Sequence, residues 1–164
     1  MTFEEYQKAA VSFRTDTANN EEYLTLGLIA EVGEAAGKLA KRRRDGVFDE
    51  KAFIKELGDI LWFVSNLAEY YDKYHDTDLS AELKSSFNRD AFPVLFGKAY
   101  QMIRVANYAV ELVKGGVRFA ELVDEICDLA GRFGYTLEQV AEINLTKLRD
   151  RQARGVIKGD GDER

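Results

Sequence analysis

Apolar residues recur every three or four positions along nearly the whole chain, and strict alternation of apolar with polar residues is absent. That period marks amphipathic helices rather than strands. A first helix is expected over 3–17, with Phe3, Tyr6, Ala10 and Phe13 on one face, ended by the polar "TDTANN". A second is expected over 21–44, with Leu24, Leu28, Val32, Ala35 and Leu39 as its apolar stripe. It closes in "KRRRDG", where cations suit a helix C-terminus and Gly46 suits a left-handed cap. Asp49 is placed to cap a third helix over 50–73, whose stripe is Phe53, Leu57, Ile60, Leu61, Val64, Leu67 and Ala68. "YYDKYHDTDLS" then reads as a polar connection. A fourth helix over 90–114 ends at Gly115-Gly116, and a fifth covers 118–133. Thr136 with Gln139 forms the capping box of a sixth, to residue 151. "RGVIKGDGDER" lacks an apolar period and reads as an extended tail. An all-α bundle follows.

Two stretches echo one another. "GLIAEVGEAAGKLAKRRRDGV" and "GKAYQMIRVANYAVELVKGGV" both have a first and a last Gly nineteen positions apart, followed by Val, and "ELGD" (56–59) is echoed by "ELVD" (121–124). Read as a degenerate repeat, the second copy carries Gln101 and Arg104 where the first carries Glu31 and Glu34. It would pack a bundle but carry neither acid of that pair.

Composition narrows the chemistry. The 164 residues are 46% apolar, enough for one domain with a real core. A net charge of −6 argues against non-specific DNA binding as the main task. One cysteine, Cys127, and one histidine, His75, exclude an internal disulfide, a cysteine-based zinc site and a two-histidine metal site. No apolar run approaches a membrane span, and "MTFEEYQKAA" has no signal-peptide character, so a cytoplasmic location is expected.

The chemistry concentrates in four acids. Glu31 and Glu34 lie three apart in the second helix, Glu56 and Asp59 three apart in the third, and each pair brackets or adjoins a glycine. Taken singly, an E-x-x-E on a helix is ordinarily a solvated face. Two such pairs, at similar distances from one turn, are expected to converge across the hairpin. Four converging carboxylates need compensating cations. An all-oxygen donor set favours Mg²⁺, with Mn²⁺ the alternative, over zinc or copper. The missing Glu-x-x-His spacing argues against a di-iron bundle.

E-x-x-E, a 21-residue gap and E-x-x-D resembles the MazG-like all-α nucleoside triphosphate pyrophosphohydrolases, which are related to the dimeric dUTPases. The context agrees in "EYQ", "LGLIAEVGEAAGKL", "RRRDG", "KELGDILWFVSNLA", "TLEQVAEINLTKLRDR" and "RGVIKGDGDER", over residues 1–69 and 135–164. The resemblance implies that Glu31, Glu34, Glu56 and Asp59 hold Mg²⁺ around a nucleoside triphosphate. Water attacks its α-phosphorus and releases a monophosphate and pyrophosphate. It further implies that Asn144, Lys147 and, more weakly, Arg151 contact phosphate or ligand. Two departures stand out. Ala30 occupies a position where many members carry a base-like Glu, and 70–134 reads as an insertion. By the resemblance, the 90–133 hairpin is expected to complete, within one chain, the four-helix core that such enzymes build from two subunits. A homo-oligomer is implied, with a dimer favoured.

Remaining residues are read locally. Phe63 and Asn66, one and two turns beyond Asp59, are candidates to stack and read a base. Trp62 and Cys127 are expected in the core, Tyr100 and Tyr108 in the core or an interface, and His75, Glu121 and Asp124 at the surface. Lys41–Arg44 either complement the helix dipole or attract a polyanionic substrate. The competing function is a non-catalytic helical module that binds a nucleotide or a protein.

Overall fold

A computed structural model describes residues 1–93, 97–115 and 118–156. The described residues form seven α-helices and no strand: α1 (Phe3–Ser12), α2 (Glu21–Asp45), α3 (Glu50–His75), α4 (Leu79–Phe87), α5 (Lys98–Val113), α6 (Phe119–Gly131) and α7 (Leu137–Ala153). None of them is long and apolar enough to cross a membrane.

The helix ends follow the local chemistry. Asn20 accepts from the Tyr23 amide at 2.7 Å and starts α2; Asp49 accepts from Ala52 at 2.9 Å and starts α3. Both oxygens satisfy amides that the first helical turn leaves unbonded. Thr136 and Gln139 cap α7 reciprocally, as the sequence predicts. Gly46 ends α2 at φ 74°, where a side chain would be strained.

Four boundaries differ from the expected ones. α1 stops at Ser12, and a short 3₁₀ turn at Asp16–Ala18 replaces its last part. There the Arg14 guanidinium donates to the Asn66 carbonyl and to Glu69 of α3, drawing the chain away from the helix axis. α3 runs on to His75, so half of the expected polar connection is helical. α4 is a further helix, anchored by the Asp72 carboxylate, which accepts from the Leu79 and Ser80 amides. The expected helix over 90–114 begins only at Lys98; residues 90–93 are non-helical, as a proline at 93 would impose on the residue before it. Gly116 and the tail from 157 lie outside the described residues.

α3 is the central element. It packs against α2, α7, α1, α4 and α6, and its residues from Ile60 to Ala68 are buried almost without interruption. α2, α3, α6 and α5 form a ring in which each helix touches the next. The α5–α6 hairpin thus completes a four-helix core against α2–α3 within one chain. One end of this core closes on an aromatic cluster of Phe48, Phe53 and Phe133, with ring centroids 5.1–5.6 Å apart.

Candidate active site

The acids meet where α2 and α7 both approach α3. Carboxylate oxygens of Glu31, Glu56 and Asp59 lie within 4.8 Å of one another. Convergence therefore holds for three of the four acids. Glu34 is exposed and outside this group. Three residues along a helix turn a side chain by about 300°, leaving it about 60° off its partner's direction, and on α2 that turns Glu34 toward water. It stays close enough to act on Glu31 through its charge.

Glu31 carries the electrostatic strain of the cluster. Burial, with the charges of Asp59, Glu34 and Glu56 behind it, pushes its pKa up from 4.5 to about 8, and Lys147 only partly offsets this. A carboxyl that keeps its proton near neutrality reports a pocket short of positive charge. Three close oxygen donors with that deficit fit a hard divalent cation.

Two lysines already lean on the other acids. The Lys38 ammonium lies 2.8 Å from Glu56, and Lys147 is hydrogen-bonded to Asp59. The Asn144 amide donates to the second oxygen of Asp59 at 2.9 Å, and the buried Tyr6 hydroxyl donates to Asn144 Oδ1 at 3.2 Å. Burial, then the nearby Asp59, hold the Tyr6 hydroxyl well above its ordinary pKa, so it remains a donor. Asp59 is thus gripped from α7, with α1 behind. Gly58 permits this closeness: a Cβ there would sit 2.9 Å from Asn144 Cβ and 3.4 Å from the Val140 carbonyl. Gly33 has no such role, since among the described residues nothing lies within 4 Å of its Cβ position.

The other candidate residues divide. Asn144, Lys147 and Arg151 share one face of α7, and Arg151 is buried one turn beyond Lys147. Phe63 is only 6% exposed. It is buried against the backbone of Gly27, where a Cβ would come within 2.2 Å of its ring, and it packs edge-on to Trp62. Asn66 is fully buried, and its amide donates to the Trp62 carbonyl at 2.8 Å, while its Oδ1 has no hydrogen-bond partner among the described residues. Trp62 is a core residue donating to the Ala10 carbonyl, and Cys127 is also in the core, its thiol pushed up to about 11 by burial. His75 and Glu121 are exposed; Tyr100 is exposed rather than core. Asp124 is not a plain surface acid, because Arg89 donates to it at 2.8 Å. Lys38 was not singled out by spacing. Its one signal is its place seven residues after Glu31, which puts it on the same helix face.

The profile of the MazG nucleotide pyrophosphohydrolase domain matches residues 19–88, which hold α2, α3 and α4. The chain is also similar to Gene 37 protein of Mycobacterium phage L5, with 33% identity over 87 residues, covering 50% of this chain and 76% of the phage protein. No solved structure matches the chain. A helical hairpin with its acids brought together over α3, inside the stretch that the profile matches, places the chain in the MazG nucleotide pyrophosphohydrolase domain family.

Proposed function

We propose that the protein is a metal-dependent nucleoside triphosphate pyrophosphohydrolase, which converts a (d)NTP and water to the (d)NMP and pyrophosphate and so cleans the cytoplasmic nucleotide pool. The observation that carries this reading is the carboxylate group Glu31, Glu56 and Asp59 within 4.8 Å, flanked by Lys147 and Asn144. Glu31, Glu56 and Asp59 would hold Mg²⁺, or Mn²⁺ in its place, with Glu34 joining from the rim. The bound cation supplies charge neutralisation of the phosphate oxygens and a more acidic water. Hydrolysis at phosphorus asks little else of the protein but positioning and charge.

The chain's own groups supply that positioning. Asn144, itself held by Tyr6, fixes one oxygen of Asp59. Lys147 and Arg151 line up along α7 as cationic partners for phosphate oxygens. Water's oxygen attacks the α-phosphorus, the bond to the α,β-bridging oxygen breaks, and pyrophosphate leaves with its electron pair. Residues 70–134 fit a degenerate repeat of the α2–α3 hairpin, completing the core of a single 1–164 domain, and the active species is a homodimer.

A second reading rests on the two lysines. With Lys38 on Glu56 and Lys147 on Asp59, the cluster is largely neutralised from within, as a non-catalytic nucleotide- or protein-binding module would have it. One experiment separates the two. The purified protein is incubated with canonical and modified (d)NTPs in Mg²⁺, Mn²⁺ or EDTA, and the products are separated. Monophosphate plus pyrophosphate, formed only with metal and lost in Asp59→Asn, supports the enzyme. No product from any nucleotide refutes it in favour of the module.

A further inference from the structure

We propose that Lys38 is an exchangeable counter-ion: it holds the charge of Glu56 while no divalent cation is bound, yields Glu56 when one enters, and then meets the substrate's phosphate oxygens. This rests on the metal-dependent reading above.

The geometry sets the roles. The Glu56 side chain is 1% exposed, whereas that of Lys38, 2.8 Å away, is 25% exposed. The ammonium therefore stands on the water side of a carboxylate too deep to be left uncompensated. Lys147 does the same for Asp59 from α7. Two ammonium groups thus face three clustered carboxyl groups, each ammonium on a different acid.

The α5–α6 hairpin shows the alternative. It too buries acids, but neutralises them with arginine. Arg104 donates to Glu125 at 2.7 Å. Arg89 spans Asp124 and Asp128 at 2.8 and 2.6 Å and also reaches the Asp124 carbonyl. A guanidinium forks several bonds at once from a rigid plane, and leaving means breaking all of them together. Lysine is a compact point charge on a flexible stem, able to move a few ångströms along the groove without refolding anything. One hairpin is locked by fixed cations, and the other is closed by removable ones.

The test uses the full chain. Mn²⁺ is titrated by calorimetry and electron paramagnetic resonance into wild type, Lys38→Met and Lys38→Arg at one pH. With the competitor gone, Lys38→Met binds Mn²⁺ roughly tenfold more tightly, melts lower without metal and recovers more on adding it. Lys38→Arg, keeping the charge but gripping harder, binds Mn²⁺ more weakly than wild type. At saturating Mn²⁺, Lys38→Met also raises the KM for nucleotide. Unchanged or weaker Mn²⁺ binding in Lys38→Met, or unweakened binding in Lys38→Arg, overturns the exchange. An unchanged KM overturns the contact with substrate. If wild type itself binds no Mn²⁺, the metal reading fails and this inference with it; if wild type binds normally and only the variants disagree, the role of Lys38 alone falls.

Discussion

Glu31→Gln should make the metal-free protein more stable above neutrality and flatten its response to pH. Glu31 is raised from an ordinary 4.5 to about 8 by burial and three neighbouring acids. Between those two values the folded state holds a proton that the unfolded chain has released, so stability falls as pH rises. It is highest below about 4.5, declines up to about 8 and is level beyond. The full interval is worth about 5 kcal/mol at about 1.4 kcal/mol per pH unit. The carboxyl keeps some contact with water, which screens part of this, so about 3 kcal/mol is the size to look for. For a chain of this length that corresponds to roughly 6–12 °C in Tm. The amide matches the carboxyl in shape and cannot ionise. Thermal and urea unfolding of both proteins in EDTA, from pH 4.5 to 9, gives a difference that cancels every other titrating group. The variant's advantage should grow with pH and level off near pH 8. A difference that stays constant over that range would refute the electrostatic account of the cluster.

Three further outcomes follow from contacts at the site. Gly58→Ala pushes a methyl into Asn144 and the Val140 carbonyl; it should cost about 1–3 kcal/mol in urea unfolding, whereas Gly33→Ala, with open space around it, should gain up to about 1 kcal/mol. Equal effects at the two positions would contradict the close packing of α7 on α3. Tyr6→Phe removes the hydroxyl that donates to Asn144 and should cost about 1–2 kcal/mol while leaving the helical circular dichroism unchanged; no loss of stability would mean that this bond is dispensable. Asp59→Asn should abolish the rise in Tm that Mg²⁺ or Mn²⁺ gives wild type, because one of three clustered carboxylates is gone; a full metal response in the variant would move the binding site elsewhere.

Much of this architecture was legible in the residues, for physical reasons. Periodic stripes, with caps at Asp49 and Thr136, act within a few residues of chain, so α2, α3 and α7 come out close to their observed bounds. α4 is only nine residues long, and its stripe of Leu79, Leu83 and Phe87 is masked by the polar run before it. At the site, spacing placed Glu31, Glu56 and Asp59 near one another, because a helical hairpin fixes height. It could not fix rotation, which turned Glu34 outward and drove Phe63 under α2. Lys38, and the arginine network of Arg89 and Arg104, depend on contacts between helices, which no local pattern encodes.

The grip on Asp59 has a consequence for how the protein is made. Asn144 and Lys147 lie 85 and 88 residues beyond the acid they hold, and Tyr6 lies 138 residues before Asn144. A chain emerging from the ribosome would have its acidic hairpin complete long before α7 is synthesised. Through that interval the carboxylates lack their C-terminal clamp, and the site is finished only as the last helix docks. A chain ending before residue 137 would lack both of these partners of Asp59, together with the buried Leu137, Val140, Ala141 and Leu145.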